Sequence, residues 1–291
     1  MTRAPGAATG WLAALAGLAF AAVGVALLVA AAGGSLEAPA PLLAFGAALF
    51  LGGGTAVAWQ GWRGAERARL AALHPRQPWR YDHPWEPGGA LDDAGARARR
   101  DLLRAALLAA FLLPFNALAA TRGEDFPLAM IAAVDLAPLA LLAHGAWLLA
   151  RRRRHGTARL RFHRFPYFLG EPVEMTLHLG QRAPLVRALE VSLACAERRA
   201  EEVMGESGPE TRWTEVELCR STQAMRGARQ LDLRFELPSD GRDLGTDLVS
   251  GADRRWTLEV RGKAPGMDYD ARFLVPIYAR PPRGEPDPAP G

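Results

Sequence analysis

Cysteine is scarce: Cys195 and Cys219 are the two in the chain. That excludes a disulfide scaffold, which needs several bridges, and a zinc ribbon, which needs paired thiol ligands. Lysine is scarcer still, with Lys263 the one lysine among 35 basic residues. No Gly-rich phosphate loop, GxSxG, HExxH or paired CxxC occurs. The chain is therefore read as not an enzyme, with no catalytic residue, cofactor or metal ligand assigned. Long apolar runs are missing from the second half, which excludes a single evenly built soluble globule. At 49% hydrophobic and 23% charged residues, the chain is also too apolar for disorder.

What is present is a first half with four apolar runs. Trp11 to Gly33 carries no charge. It reaches roughly 35 Å at about 1.5 Å per residue, enough for a hydrocarbon core of about 30 Å. It is too long for the apolar core of a cleaved signal peptide, so it is expected to remain as a span. Leu42 to Trp59 is also uncharged, Ala105 to Thr121 carries Pro114 and Asn116, and Leu128 to Ala150 carries Asp135 and His144. These predict four transmembrane helices arranged as two hairpins within residues 1–155.

Arginine placement predicts the orientation. Within the connector at 60–104, the stretch Gln60 to Leu102 holds Arg63, Arg67, Arg69, Arg76, Arg80, Arg97, Arg99 and Arg100. Arg151, Arg152, Arg153 and Arg154 follow the last span directly. The two other connectors hold Arg122 alone. Basic flanks stay cytoplasmic, so a multi-pass protein of the bacterial inner membrane with both termini in the cytoplasm is expected. The connector segment HPRQPWRYDHPWEP is too proline-rich for a regular helix. Trp62, Trp79, Tyr81 and Trp85 suit the headgroup layer, and Arg97, Arg99, Arg100 and Arg151 to Arg154 suit anionic lipid. A metal site using His74, Asp82 and His83 matches no standard ligand spacing. Nucleic acid is not an expected partner, because a basic patch pressed on a bilayer is poorly placed for a duplex. Asp92 or Asp93 is positioned to cap a helix through Ala94 to Arg104.

Asp135 and Asn116 form the candidate intramembrane polar site. Each lies at a similar depth from the outer end of its span. A carboxylate there must find a partner or a proton. Either the two bond across helices and fix packing, or Asp135 serves a transport or intramembrane catalytic step. Small residues are dense in the first two spans, as in Gly52, Gly53 and Gly54, and small residues let helices approach closely in lipid.

From Thr157 the pattern becomes period two. Val173, Met175, Leu177 and Leu179 share one face, as do Leu189, Val191, Leu193 and Cys195, and Leu231, Leu233, Phe235 and Leu237. Shorter alternations occur at Leu160 with Phe162, Val216 with Leu218, Trp256 through Val260, and Phe273 through Ile277. Such runs with Gly/Pro punctuation predict an all-β antiparallel sandwich over 156–280. Cys195 and Cys219 are too close in sequence for an antibody-type inter-sheet bridge, so both are expected as thiols. The Asp-rich loop Ser239 to Asp253 lacks EF-hand spacing. The Pro-rich tail at 281–291 is expected to be disordered.

The segment RLRFHRFPYFLGEPVEMTLHL resembles the first strand, Pro/Gly turn and second strand of arrestin-like sandwiches, and PGMDYDARFLVPIY resembles their closing strand. With HPRQPW between the spans, the layout is similar to uncharacterised bacterial multi-pass membrane proteins carrying such a domain. The resemblance implies an interaction or scaffold module with a protein partner and no catalytic residues to carry over. A small transporter using Asp135, and a structural subunit of a membrane complex, are the alternative expectations. Oligomeric state is not indicated.

Overall fold

A run that is apolar all round continues as helix until charge or a breaker stops it. The computed structural model describes residues 7–34, 40–122, 128–180, 188–205, 208–238, 244–249 and 253–280. The tail at 281–291, the connector residues 35–39 and 123–127, and Asp240 and Asp243 lie outside the described residues. Helix α1 covers Ala7–Gly33 and α2 covers Ala40–Leu73. The second helix runs well beyond Trp59, where its apolar stretch ends. Arg63, Glu66, Arg67 and Arg69 are good helix formers among alanines, and the next proline is Pro75. The Pro-rich segment holds one turn of 3-10 helix, Pro78–Arg80. Strand β1 is Ala90–Leu91, α3 is Ala94–Arg122 and α4 is Leu128–His155. The short helix expected at Ala94 and the apolar run behind it are thus one helix, passing through Pro114. Three helices, α1, α2 and α4, are long and apolar enough to cross a membrane. The helix α3 is not among these three. Its N-terminal part carries Arg97, Arg99, Arg100, Asp101 and Arg104, and the side chains at 118–122 lie outside the described residues, so the described apolar stretch is short.

The chain divides into two compact units, and the division does not fall where the helices end. One holds Met1–Pro84, with Asp247–Gly251 counted to it. The other holds Trp85–Thr246 and Ala252–Arg280, so α3 and α4 belong with the strands. The reason is that the residues before α3 and after α4 are hydrogen-bonded into the strand-rich part, as described below.

In the first unit, α1 and α2 pack along a seven-residue repeat of small residues. Gly10 faces Gly61 and Ala65, Gly17 faces Gly54 and Ala58, and Gly24 faces Ala47 and Leu51. A Cβ added to Gly10, Gly17, Gly24, Gly54 or Gly61 would fall within 3 Å of partner backbone atoms. Seven residues return a helix to nearly the same face, so the contact repeats along the pair. Gly52 and Gly53 have nothing within 4 Å of such an atom. The conspicuous glycine run therefore contributes Gly54 alone.

The later strands are β2 Arg159–Phe162, β3 Tyr167–Phe168, β4 Pro172–His178, β5 Ala188–Gly205, β6 Gly208–Arg226, β7 Gln230–Glu236, β8 Arg254–Gly262, β9 Tyr269–Val275 and β10 Ile277–Tyr278. One antiparallel sheet has the order β1-β2-β4-β7 and a second the order β6-β5-β8-β9, while β3 and β10 pair in parallel. The alternation read from the sequence is the burial pattern. Val173, Met175, Leu177, Leu233 and Phe235 of the first sheet share one buried cluster with Val191, Leu193, Trp256, Leu258 and Phe273 of the second. Trp256 donates its indole N–H to the Leu244 carbonyl at 2.7 Å, which satisfies the one polar atom that ring takes inside. Cys195 and Cys219 are both thiols and lie opposite each other on β5 and β6, within one sheet. A bulge follows at Cys195/Ala196, leaving Leu218 as the extra residue.

Strands β5 and β6 are much longer than the short runs expected. Beyond Glu197, β5 pairs with β6 alone, so Arg198–Gly205 and Gly208–Glu215 form a two-stranded arm. Where the arm leaves the sheet, the Glu197 carboxylate accepts from Arg199 Nε at 2.7 Å and from Arg254 Nε at 3.0 Å. The hydrogen bond from Arg199 is the main influence that holds this carboxyl below its ordinary range, with Arg254 adding to it. Trp213, Val203 and Met204 are exposed on the arm, and the Arg198 guanidinium covers the Trp213 ring at 4.9 Å.

Candidate functional site

Two buried ionisable groups of the second unit, Arg151 and His155, lie where α4 meets the strands. The apolar length of α4 ends at Ala150 and four arginines follow. Gly156 closes the helix with φ +79, a conformation that favours glycine. The exit is tight: a Cβ on Gly180 would strike the His155 carbonyl and Gly156. Arg151 is 4% exposed and bonds Asp270 on β9 through Nη1 at 2.9 Å. Its guanidinium also lies over the Trp147 ring at 4.8 Å. Arg152 donates from Nε to Thr157 Oγ1 at 3.1 Å, and Arg154 donates to the Pro265 carbonyl. His155 is 2% exposed, bonds the Met267 carbonyl through Nε2 at 3.0 Å and meets the Tyr269 ring edge-on. Of the four arginines expected at the lipid surface, the structure thus places Arg151 inside protein. Arg153 is exposed.

The start of α3 is tied to the same strand. Asp92 Oδ1 accepts from the amides of Ala94 and Arg272, each at 3.2 Å. The Asp92 amide donates to the Ala158 carbonyl and the Asp93 amide to the Arg272 carbonyl, each at 3.1 Å. Of the two candidate caps, the Asp92 side chain accepts from the helix start, and both residues stitch that start to the strands. Burial pushes both carboxyls above their ordinary range; for Asp92 the two amide bonds oppose that rise, and for Asp93 the Arg97 charge does. Burial likewise raises the Tyr269 hydroxyl. One register of β1 to β2, Ala90 opposite Leu160, completes the attachment.

The other sequence-derived positions are distributed as follows. Trp62 packs on Trp59 with ring centroids 5.2 Å apart. Trp79 sits in the 3-10 turn, and Tyr81 follows it half-buried, its hydroxyl raised by burial and then by the Asp82 and Asp247 charges. Trp85 donates to the Tyr278 hydroxyl at 2.8 Å, which anchors it on protein. Arg97 pairs with Asp93 at 2.9 Å, while Arg99 and Arg100 are exposed. No group of three metal-ligating side chains occurs among the described residues.

Asn116 Nδ2 donates to both oxygens of Asp135, at 3.2 and 3.1 Å, joining α3 to α4. Nearer the arginines, Asp101 accepts from His144 at 2.9 Å, a second tie between the same helices. Sequence reasoning missed it because Asp101 lies outside the apolar run. Interhelical hydrogen bonds of this kind contribute about 1 kcal/mol in lipid. Asn116→Leu is expected to lower the unfolding free energy by about that amount in detergent, with Asp135→Asn smaller because the amide keeps one bond. Equal losses for both variants would count against the assigned geometry.

No family model matches the sequence, and no curated protein does. Among solved structures the chain is similar to the crystal structure of Spo0M, a sporulation control protein from Bacillus subtilis, at 16% identity and a TM-score of 0.28. The match covers 42% of this chain and 49% of that one, so it spans about half of the solved protein's length.

Proposed function

We propose that the protein is an integral protein of the bacterial inner membrane that displays an arrestin-like β-sandwich in the cytoplasm as a non-catalytic interaction module. In this reading all four helices span, as two hairpins, and both termini are cytoplasmic. The observation that carries it is the shared compact unit. The α3–α4 hairpin and the strands are joined through Asp92, Asp93, Arg151 and His155, a fixed mount rather than a loose tether. A module held in this way presents its edges and arm at a set angle to the bilayer. Trp213 and Met204 on the arm are the exposed groups best suited to a protein partner, since aromatic and Met side chains are enriched at such contacts. Exposed arginines near the helix ends suit anionic headgroups.

Two measurements on the full chain test the reading. A fluorescent reporter fused after Gly291 is expected to mature, and alkaline phosphatase at the same place to stay inactive; the opposite pattern inverts the arrangement. Trp213→Ser is expected to leave unfolding within about 0.5 kcal/mol of wild type, because the ring is exposed. The same variant is expected to lose proteins that co-purify from native membranes. Unchanged co-purification would remove the arm from the proposal.

A further inference from the structure

The junction holds a partly open cavity of about 10 Å³ lined by Asp92, Arg151, Arg152, His155, Tyr269 and Asp270. About this much space holds one water molecule, provided several polar groups converge on it. Four of these side chains each carry a buried polar atom without a hydrogen-bond partner among the described residues: Arg151 Nη2, His155 Nδ1, the Tyr269 hydroxyl and Asp270 Oδ1. The last lies 3.8 Å from Arg272 Nε, an ion pair too long for a hydrogen bond. Orphaned groups of this kind are costly, and four at one small cavity point to a common ligand.

Their chemistry specifies that ligand. Arg151 Nη2 can only donate, and Asp270 Oδ1, as a carboxylate, only accepts. His155 Nε2 faces the Met267 carbonyl, which can only accept, so Nε2 carries the hydrogen and the neutral ring presents Nδ1 as an acceptor. Tyr269 can donate its hydroxyl hydrogen. The set is two donors and two acceptors, the complement of water. Ammonium would face two donors, a halide two acceptors, and a metal ion the Arg151 charge. We propose that Arg151, His155, Tyr269 and Asp270 hold one buried water that bridges α4 to β9, and that the bridge requires neutral His155. A proton on Nδ1 turns an acceptor into a third donor, and water then meets all four groups only if the Tyr269 hydroxyl turns to accept and loses its own acceptor. Mild acid therefore loosens the mount of the β-domain.

The charged groups around His155 are Arg151, Arg152 and Arg154 on α4, Asp270 on β9 and Asp92 before α3. Asp92 and Asp270 are the other groups able to take up a proton as the pH falls, so the test has to separate them from His155. Amide exchange of the full chain in nanodiscs, corrected for intrinsic rates, is compared at about pH 7.5 and about pH 5.5. In wild type, protection at Met267–Arg272 and Asp92–Ala94 is expected to fall by about tenfold at the lower pH. In His155→Gln, which offers an acceptor without titrating, protection is expected to stay constant. The same fall in that variant assigns the effect to the carboxylates at the cavity, Asp92 or Asp270, and overturns the proposal, as does the absence of a fall in wild type. Should His155→Gln fail to fold, 15N spectra of histidine-labelled wild type decide. A neutral Nε2–H ring at about pH 7.5 is expected, and an Nδ1–H or doubly protonated ring overturns the proposal. A high-resolution crystal structure is expected to show one water bonded to all four groups, and a dry cavity would overturn the bridge itself.

Discussion

Gly17→Leu is expected to take the α1–α2 hairpin apart. Gly17 stands against Gly54 and Ala58, and even a methyl group there would overlap partner backbone. The neighbouring contacts at Gly10 and Gly24 follow at intervals of seven residues, so helices pushed apart at the middle lose the contacts at both ends. Lipid supplies no hydrophobic drive to restore them, because the tails solvate apolar side chains as well as a second helix does. Overpacking usually costs about 1–3 kcal/mol, and here the upper end applies, since the obstruction is backbone and has no rotamer to move. Gly53→Leu is the matched control. It adds the same side chain one residue from Gly54, where nothing lies within 4 Å. Equilibrium unfolding in mixed detergent micelles reads the difference. Comparable losses in the two variants would mean that the seam is not where the pair is held.

The glycines show how far sequence reading reaches. Density of small residues was legible, and with it a close hairpin, but the eye goes to Gly52–Gly54 rather than to a repeat spread over two helices. Only the pairing of α1 with α2 gives Gly10, Gly17 and Gly24 a common role. The strands were legible for a stronger reason. Burial of one face imposes a period of two, and Val173, Met175 and Leu177 declare it locally. β1 did not declare itself, because Ala90–Leu91 is too short to show a period and is a strand only by pairing with β2. The outer parts of β5 and β6 were also missed: exposed on both faces, Arg198–Met204 shows no apolar alternation. Asn116 and Asp135 were legible as a pair because an isolated carboxylate in an apolar helix has few options. The junction was not legible. Arg151 reads as one of four equivalent arginines, and nothing local distinguishes the one whose partner, Asp270, arrives 119 residues later.

Arg151→Met is expected to separate that arginine from its neighbours. Loss of one member of a buried ion pair strands the other, which commonly costs about 3–5 kcal/mol. Asp270 keeps a quarter of its side chain exposed and has Arg272 at 3.8 Å, so about 3 kcal/mol is expected. Part of that loss belongs to the guanidinium over Trp147, for which about 0.5–2 kcal/mol is typical. Arg153→Met removes the same charge from an exposed position two residues away, and is expected to stay within about 0.5 kcal/mol of wild type. The double variant Arg151→Met with Asp270→Leu is expected to recover a substantial share, because it removes the stranded carboxylate as well. Denaturant unfolding of the full chain, followed by Trp fluorescence, reads all three. If the four arginines were interchangeable lipid anchors, Arg151→Met and Arg153→Met would lose equal stability and equal affinity for anionic vesicles. The buried pair predicts instead that Arg151→Met loses stability with vesicle affinity unchanged, since a guanidinium 4% exposed, against Trp147 and Asp270, is not open to a headgroup.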